Sequence, residues 1–232
     1  MSDPVDLGRR AVRPLLLAAA VATVVTALCI ALLDAPVARY LAQWQPWPVW
    51  DPLLKGFETL GGLTLPKRYL FLGSVTFDVT RWAVALVLGA AALAASVTPR
   101  WRSAARSLWF LAAVHLISRL AMVELKEATE RLRPIDWLAR GGPTFFVDGG
   151  LSFPSGHVTY FLGLVLPVVL LLPRWGRWLL LIPAAVAACR VGVNAHFLSD
   201  VSGAVVLVCL IAAAALWADG LVGRRRSDEA SR

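Results

Sequence analysis

The sequence predicts an all-α fold, a polytopic membrane bundle of about six transmembrane helices forming one domain over residues 1–232. Three features point there. The chain is 58% hydrophobic with a mean hydropathy of +0.67, above the apolar share of soluble domains. Several of its runs approach the roughly 20 apolar residues that cross about 30 Å of hydrocarbon. Arginines gather between those runs and most of the ten tryptophans flank them, as topology determinants and interfacial anchors do.

The first span is read at residues 14–33, behind Arg9, Arg10 and Arg13. Its apolar run exceeds the ~7–15 residues of a signal-peptide core, which favours an uncleaved anchor. A stretch rich in Trp and Pro then fills residues 34–79 as an outer loop, with a short surface helix at 49–60. The second span covers 80–97, a basic loop carries Arg100, Arg102 and Arg106, and the third span covers 107–125. Residues 126–156 read as a loop outside the membrane, since Pro134, Gly141, Gly142, Pro143, Gly149 and Gly150 break any long helix there. The fourth span is 157–172, and the basic loop 173–177 leads to a fifth at 178–193. A sixth at 197–217 runs into a polar tail, 218–232, that begins around Arg224, Arg225 and Arg226. There is no internal repeat.

A net charge of +8 would suggest nucleic-acid binding in a soluble protein, but no nucleic-acid motif or basic-aromatic repeat accompanies it. The arginines read instead as orientation signals. The tail 1–13, the loops 98–106 and 173–177 and the C-terminal tail are all basic, and an even span count puts them on one side. That side is expected to be cytoplasmic. Cys29, Cys189 and Cys209 lie inside or at the ends of apolar runs with no paired spacing, so neither a disulfide framework nor a metal site follows. Cys29 and Cys209 read as packing residues.

Three stretches carry most of the ionisable chemistry, and the span order puts all three on the outer face. In the first, Lys126 and Arg133 are seven residues apart, about 10 Å along one face of a continuous helix. Pro134 disfavours helical geometry at Arg133, so the helix is expected to end there and release the arginine inward. A guanidinium offers a fork for phosphate oxygens and a lysine a point charge, although such a pair also anchors a span to headgroups. In the second, Pro154-Ser155-Gly156-His157, Ser155 is a natural N-cap and Gly156 permits close backbone approach. Helix starts bind anions, and His157 projects at the lip of that start; a capped helix with an interfacial histidine is the plainer alternative. In the third, His196 and Asp200 are i and i+4 on one helical face. The carboxylate would fix the imidazole tautomer and raise its basicity, or serve only as a structural hydrogen bond. Arg190 precedes His196 by six residues, and Gly192 and Asn194 supply a turn to bring them together.

Together these stretches resemble the type 2 phosphatidic acid phosphatase (PAP2) superfamily, whose signature is K-x6-R-P, then P-S-G-H, then S-R-x5-H-x3-D. Every spacing matches, and Cys189 is the one departure, standing where the family usually has serine. It puts a secondary phosphate hydrogen bond in question and leaves the nucleophile untouched. The resemblance implies that His196 attacks phosphorus and becomes phosphohistidine, with Asp200 orienting it. It implies that His157 protonates the leaving oxygen and later assists water. Lys126, Arg133, Arg190, Ser155 and the Gly156 amide would hold the phosphoryl oxygens. No metal and no other cofactor is expected, because fixed cations would do the work of magnesium.

The activity so implied is hydrolysis of a terminal phosphate on a membrane lipid at the periplasmic side of a bacterial inner membrane. Undecaprenyl diphosphate, lipid A, phosphatidylglycerophosphate and phosphatidic acid all present the required phosphoryl oxygens. A lipid phosphotransferase would use the same phosphohistidine with another acceptor. A non-catalytic lipid-binding or translocating protein would need the anion site but not both histidines with Asp200. Four further readings concern lesser polar residues. His115 and Arg119, i and i+4 in the third span, are expected to lie too deep for the site, in a structural or interfacial role. Asp78 and Arg81 are expected to pair. Asp148 is read as lining the site or solvated, and Glu127 and Glu130 as pointing away or pairing with Arg131.

Overall fold

The computed structural model describes residues 4–43, 52, 69–72, 75–141 and 146–230. The first helix, α1 (Pro4–Leu28), passes through a π-helical turn (Cys29–Leu33) into α2 (Asp34–Gln43). The expected outer loop therefore does not begin at residue 34. In the turn the Asp34 amide reaches back to the Cys29 carbonyl, and Pro36 follows. A proline here lacks the N–H for an ordinary helical bond and crowds the carbonyl four residues back. A wider π turn just upstream absorbs both defects. Asp34 is thereby carried inside the fold, 1% exposed. The predicted surface helix at 49–60 lies outside the described residues apart from Pro52.

The only described strands form a short antiparallel hairpin in the same stretch, β1 (Tyr69–Leu72) and β2 (Val75–Asp78), paired with Leu72 opposite Val75. From there α3 (Val79–Val97) leads through a 3-10 turn (Pro99–Trp101) into α4 (Arg102–Thr129). The side chains of Asp78 and Arg81, expected to pair, lie outside the described ones. After α5 (Pro134–Arg140) comes the loop before α6 (Gly156–Leu171), then a short α7 (Pro173–Gly176) and a 3-10 turn (Arg177–Leu180). The bundle closes with α8 (Leu181–Gly192) and α9 (Leu198–Ala230), the last continuing as helix through the predicted polar tail. The architecture is all-α apart from the hairpin, with six principal helices, counting α1 and α2 as one.

The α1–α2 unit (Ala11–Gln43), α4 and α9 (Leu198–Gly220) are long and apolar enough to cross a membrane. Two further apolar helices, in α3 (Trp82–Val97) and α6 (Gly156–Leu171), are shorter. Lipid-facing positions such as Leu16, Leu17, Val21, Val24, Leu86 and Val87 are exposed, as befits a protein whose solvent there is hydrocarbon. Inside, Ala11, Leu15 and Ala19 of α1 meet Val208, Ala212 and Leu216 of α9 in one cluster with Phe110, Leu162 and Leu166. The small alanines let those two backbones approach closely, the usual basis of helix association in membranes. Cys209 packs in this cluster, and Cys29 and Cys189 are also buried. A second cluster, Val158, Phe161, Val186 and Ala204, binds α6 to α8 and α9. A third joins Ala38 of α2 to Leu132, Trp137 and Phe197.

Two glycines are fixed by what lies against them. A Cβ on Gly150 would fall 2.3 Å from the Arg131 carbonyl oxygen, and one on Gly203 would fall 2.4 Å from the Phe153 ring. Gly89 of α3 has open space beside it. We expect Gly150→Ala to destabilise the protein by about 1–3 kcal/mol or more, because backbone must move, while Gly89→Ala is neutral or mildly stabilising. Thermal unfolding in detergent followed by tryptophan fluorescence checks this; equal midpoints for the two variants would contradict it.

Candidate active site

The first motif breaks earlier than Pro134 alone suggests. Helix α4 ends at Thr129, where Glu130 turns left-handed at φ 41° and its amide closes on the Lys126 carbonyl at 3.0 Å. Arg133 is extended at ψ 155°, immediately before the proline that opens α5. Lys126 and Arg133 thus do not share a continuous helical face. Lys126 instead donates to the carbonyls of Leu151 and, at 3.5 Å, Ser152. Its stem runs past Gly156, with Cε 3.7 Å from where a Gly156 Cβ would stand. Arg133 is exposed, and its charge acts on His157.

Ser155 occupies the N-cap position of α6 at φ −63°, ψ 117°, but its hydroxyl makes no capping bond. Its carbonyl accepts from the Thr159 amide at 3.0 Å and the Thr159 hydroxyl at 2.9 Å, and its amide donates to the Asp200 carbonyl at 2.9 Å. The hydroxyl itself is fully buried with no hydrogen-bond partner among the described residues. A buried hydroxyl left unsatisfied costs roughly 1–3 kcal/mol, which a bound oxyanion would recover. His157, half-buried, lies within electrostatic reach of Arg190, His196, Arg119 and Arg133. Arg119 is buried in α4, and its charge acts on His157. Its guanidinium lies 5.2 Å from the Tyr160 ring and 5.8 Å from that of Trp82. His115 sits edge-on to Tyr160 at 5.0 Å.

In the third motif the expected turn forms. Helix α8 stops at Gly192, Asn194 is left-handed at φ 55°, and the amides of Ala195 and His196 fold back onto the Arg190 carbonyl at 3.1 and 3.2 Å. Arg190 is 7% exposed and His196 3%. His196 Nδ1 lies 3.3 Å from Asp200 Oδ2 and 3.2 Å from Ser152 Oγ. Asp200 is fully buried and accepts from the Ser152 hydroxyl at 2.5 Å, the Phe197 amide at 2.8 Å and Arg131 Nη1 at 2.6 Å. With the carboxylate facing Nδ1, the proton belongs on Nδ1 and the lone pair on Nε2. Burial lowers the His196 pKa to about 4, against the bond and charge of Asp200, with Arg190 and Lys126 pushing further down. That shift favours the neutral imidazole near pH 7.

Four further residues join the site that sequence reasoning missed: Arg131, Asp34, Ser152 and Ser199. Arg131 does not pair with Glu127 or Glu130, which are exposed. Its side chain, 0% exposed, spans two buried carboxylates, Nη1 to Asp200 Oδ1 and Nη2 to Asp34 Oδ2, each at 2.6 Å. Ser199 completes the network: its amide donates to Asp34 Oδ1 at 3.1 Å, its hydroxyl donates to Asp34 Oδ2, and Arg131 Nη1 donates to that hydroxyl at 2.5 Å. The guanidinium carbon lies 4.4 Å from the Phe197 ring, 4.7 Å from Phe146 and 5.9 Å from Phe153. A signal was available, for Asp34 is the one carboxylate between Asp6 and Asp51. An acid at the end of an apolar run needs a counter-charge. Asp148 pairs with Arg140 at 2.8 Å on the surface.

Because the native fold favours neutral His196, its contribution to stability is present above the ordinary 6.5 and is lost as pH falls toward about 4. In 15N-histidine-labelled protein, the His196 resonances, assigned by their loss in His196→Gln, should keep the neutral pattern with the proton on Nδ1 down to about pH 5. Titration centred near 6.5 would contradict this geometry.

Comparison with curated protein sequences gives no match. The crystal structure of the first transmembrane PAP2 type phosphatidylglycerolphosphate phosphatase from Bacillus subtilis superposes with a TM-score of 0.51 at 21% identity, over 94% of this chain and 96% of that one. At that identity the likeness concerns the fold. The model of the PAP2 superfamily matches residues 107–222, half of the chain. The three stretches from Lys126 to Asp200 all lie inside that half, and the protein belongs to the PAP2 superfamily.

Proposed function

We propose that the protein is an integral-membrane lipid phosphatase that removes a terminal phosphate through a phosphohistidine on His196, with fixed cations in place of a metal. The observation that carries the reading is His196 itself: buried, held neutral by that burial, bound through Nδ1 to Asp200, and within the electrostatic reach of Arg190 and Lys126. In the first step the Nε2 lone pair forms a bond to phosphorus as the bond to the leaving oxygen breaks, and His157 gives that oxygen a proton. Asp200 stabilises the charge gained by the ring. In the second step water attacks phosphorus, its proton passes to His157, and the P–N bond breaks to return neutral His196 and inorganic phosphate. Lys126, Arg133, Arg190, Ser155 and the Gly156 amide hold the equatorial oxygens, the dominant contribution in phosphoryl transfer.

The substrate class is a phosphorylated lipid, such as undecaprenyl diphosphate, lipid A, phosphatidylglycerophosphate or phosphatidic acid. The Bacillus subtilis neighbour is described as a phosphatidylglycerolphosphate phosphatase, which keeps that lipid in the panel. A headgroup at the outer leaflet fits the arginine bias, which supports a site on the periplasmic side of an inner membrane.

His196→Ala should lose roughly a thousandfold or more in turnover, with folding retained, since it deletes the attacking atom. Wild-type activity on the lipid panel should survive excess chelator and be inhibited by vanadate, whose five-coordinate adduct resembles the transferring phosphorus. Free phosphate and mass-spectrometric product analysis read both; a folded His196→Ala protein that still releases phosphate rules out the covalent route.

Orientation has its own test, made in a background without Cys29, Cys189 and Cys209. A cysteine at 147 should react with an impermeant thiol reagent in intact spheroplasts. Cysteines at 102–106 or 174–177 should react only after lysis. The reverse labelling pattern would place the site at the inner leaflet and remove periplasmic lipids from the panel.

A further inference from the structure

Asp34 lies outside the half of the chain that matches the superfamily model, on the helix that follows the π turn. Nothing in the three motifs calls for it. Yet it is 1% exposed and bonded to both neighbours of the catalytic pair, Arg131 and Ser199. We propose that Asp34 is a positioning residue for phosphoryl transfer: it holds Arg131 in the one orientation that aims Asp200 at His196. The proposal rests on the phosphohistidine reading above.

The geometry supports a relay of fixed positions. Each carboxylate takes one arm of the same guanidinium, Asp34 through Nη2 and Asp200 through Nη1, both at 2.6 Å. A planar fork so held cannot swing without breaking two charge-assisted bonds. Arg131 binds Asp200 through Oδ1, which leaves Oδ2 to face His196 Nδ1 and the Ser152 hydroxyl. Without Asp34, Nη2 would lose that buried carboxylate. The arginine would then compete for both oxygens of Asp200, including the one that orients the imidazole.

The segment carrying Asp34 is built to stay in place. The Asn194 side-chain amide donates to the Ala38 carbonyl at 3.0 Å, tying α2 to the turn just before His196. Ala38 packs with Leu132, Trp137 and Phe197, and Arg39 lies 5.2 Å from the Trp137 ring. One segment of α2 thus touches the first and third motifs at once. The π turn, a feature often found at functional sites, sets which way Asp34 faces.

The test is Asp34→Asn, which keeps the shape but sets an amide N–H₂ or a neutral oxygen against a guanidinium donor. We expect kcat to fall on the order of 10- to 100-fold, the scale of a small misplacement of reacting groups, with KM changed less than about threefold. The low-field Nδ1 proton of His196 should shift in the same variant, a signature that loss of stability alone would not produce. Ser199→Ala, which removes the hydroxyl shared by Asp34 and Arg131 without altering charge, should give a smaller loss of kcat and a smaller shift. It keeps the idea testable if Asp34→Asn does not fold. A folded Asp34→Asn protein with wild-type kcat, or a lowered kcat with an unmoved His196 proton, would overturn the proposal. Wild-type protein inert on every lipid phosphate would instead defeat the phosphatase reading, while the resonance shift would still report on the relay.

Discussion

A single buried arginine holds this structure's chemistry together. Arg131 carries one positive charge between two carboxylates, Asp34 and Asp200, with none of the three side chains open to solvent. Taking such ions out of water costs several kcal/mol each, and only near-ideal geometry with further hydrogen bonds offsets it. Those bonds are present: Ser199 satisfies Asp34 through amide and hydroxyl, while Ser152 and the Phe197 amide satisfy Asp200. The helix carrying the first motif, the turn of the third and the N-terminal helix all converge on this one side chain. Removing the arginine would leave two carboxylates facing each other in an apolar interior, an arrangement the fold would have to rearrange to relieve.

Around that centre the site is assembled from helix ends. Helix α4 stops just before it, α6 starts within it, and α8 ends where α9 is about to begin. Helix ends are the places where backbone groups lie unpaired and side chains leave the helical lattice. A membrane enzyme gains polar surface there without opening a polar hole in the hydrocarbon. The same economy explains why Ser155 leaves its hydroxyl unused: Thr159 takes the carbonyl and Asp200 the amide. The helix start is held by the Ser155 backbone groups, with the Thr159 hydroxyl adding a bond to the same carbonyl.

Local spacing made much of this legible. His196 and Asp200 meet, although His196 stands in the bend before α9 and not on a helical face, and Gly192 and Asn194 lie in the turn that folds His196 back onto the Arg190 carbonyl. The length and grease of the spans revealed the bundle. What stayed hidden depended on contacts across the chain. Asp34 looked like the start of a loop because hydropathy falls there, but a π turn carries the helix on to Gln43. Arg131 looked like a partner for its neighbours Glu127 and Glu130, whereas its partners lie 97 and 69 residues away. Pro134 was credited with ending α4, although Glu130 had already done so by turning left-handed.

The aromatic rings around Arg131 shape where protons can travel. Phe197 and Phe146 lie within 4.7 Å of its guanidinium carbon and Phe153 farther out, and Asp200 behind it is sealed. Seen from His196, the Nδ1 side is therefore a closed wall of Asp200 and Ser152 backed by Arg131. A lipid phosphate bound at Nε2, as proposed above, would cut the imidazole off from bulk solvent and set the proton inventory of one cycle before chemistry starts.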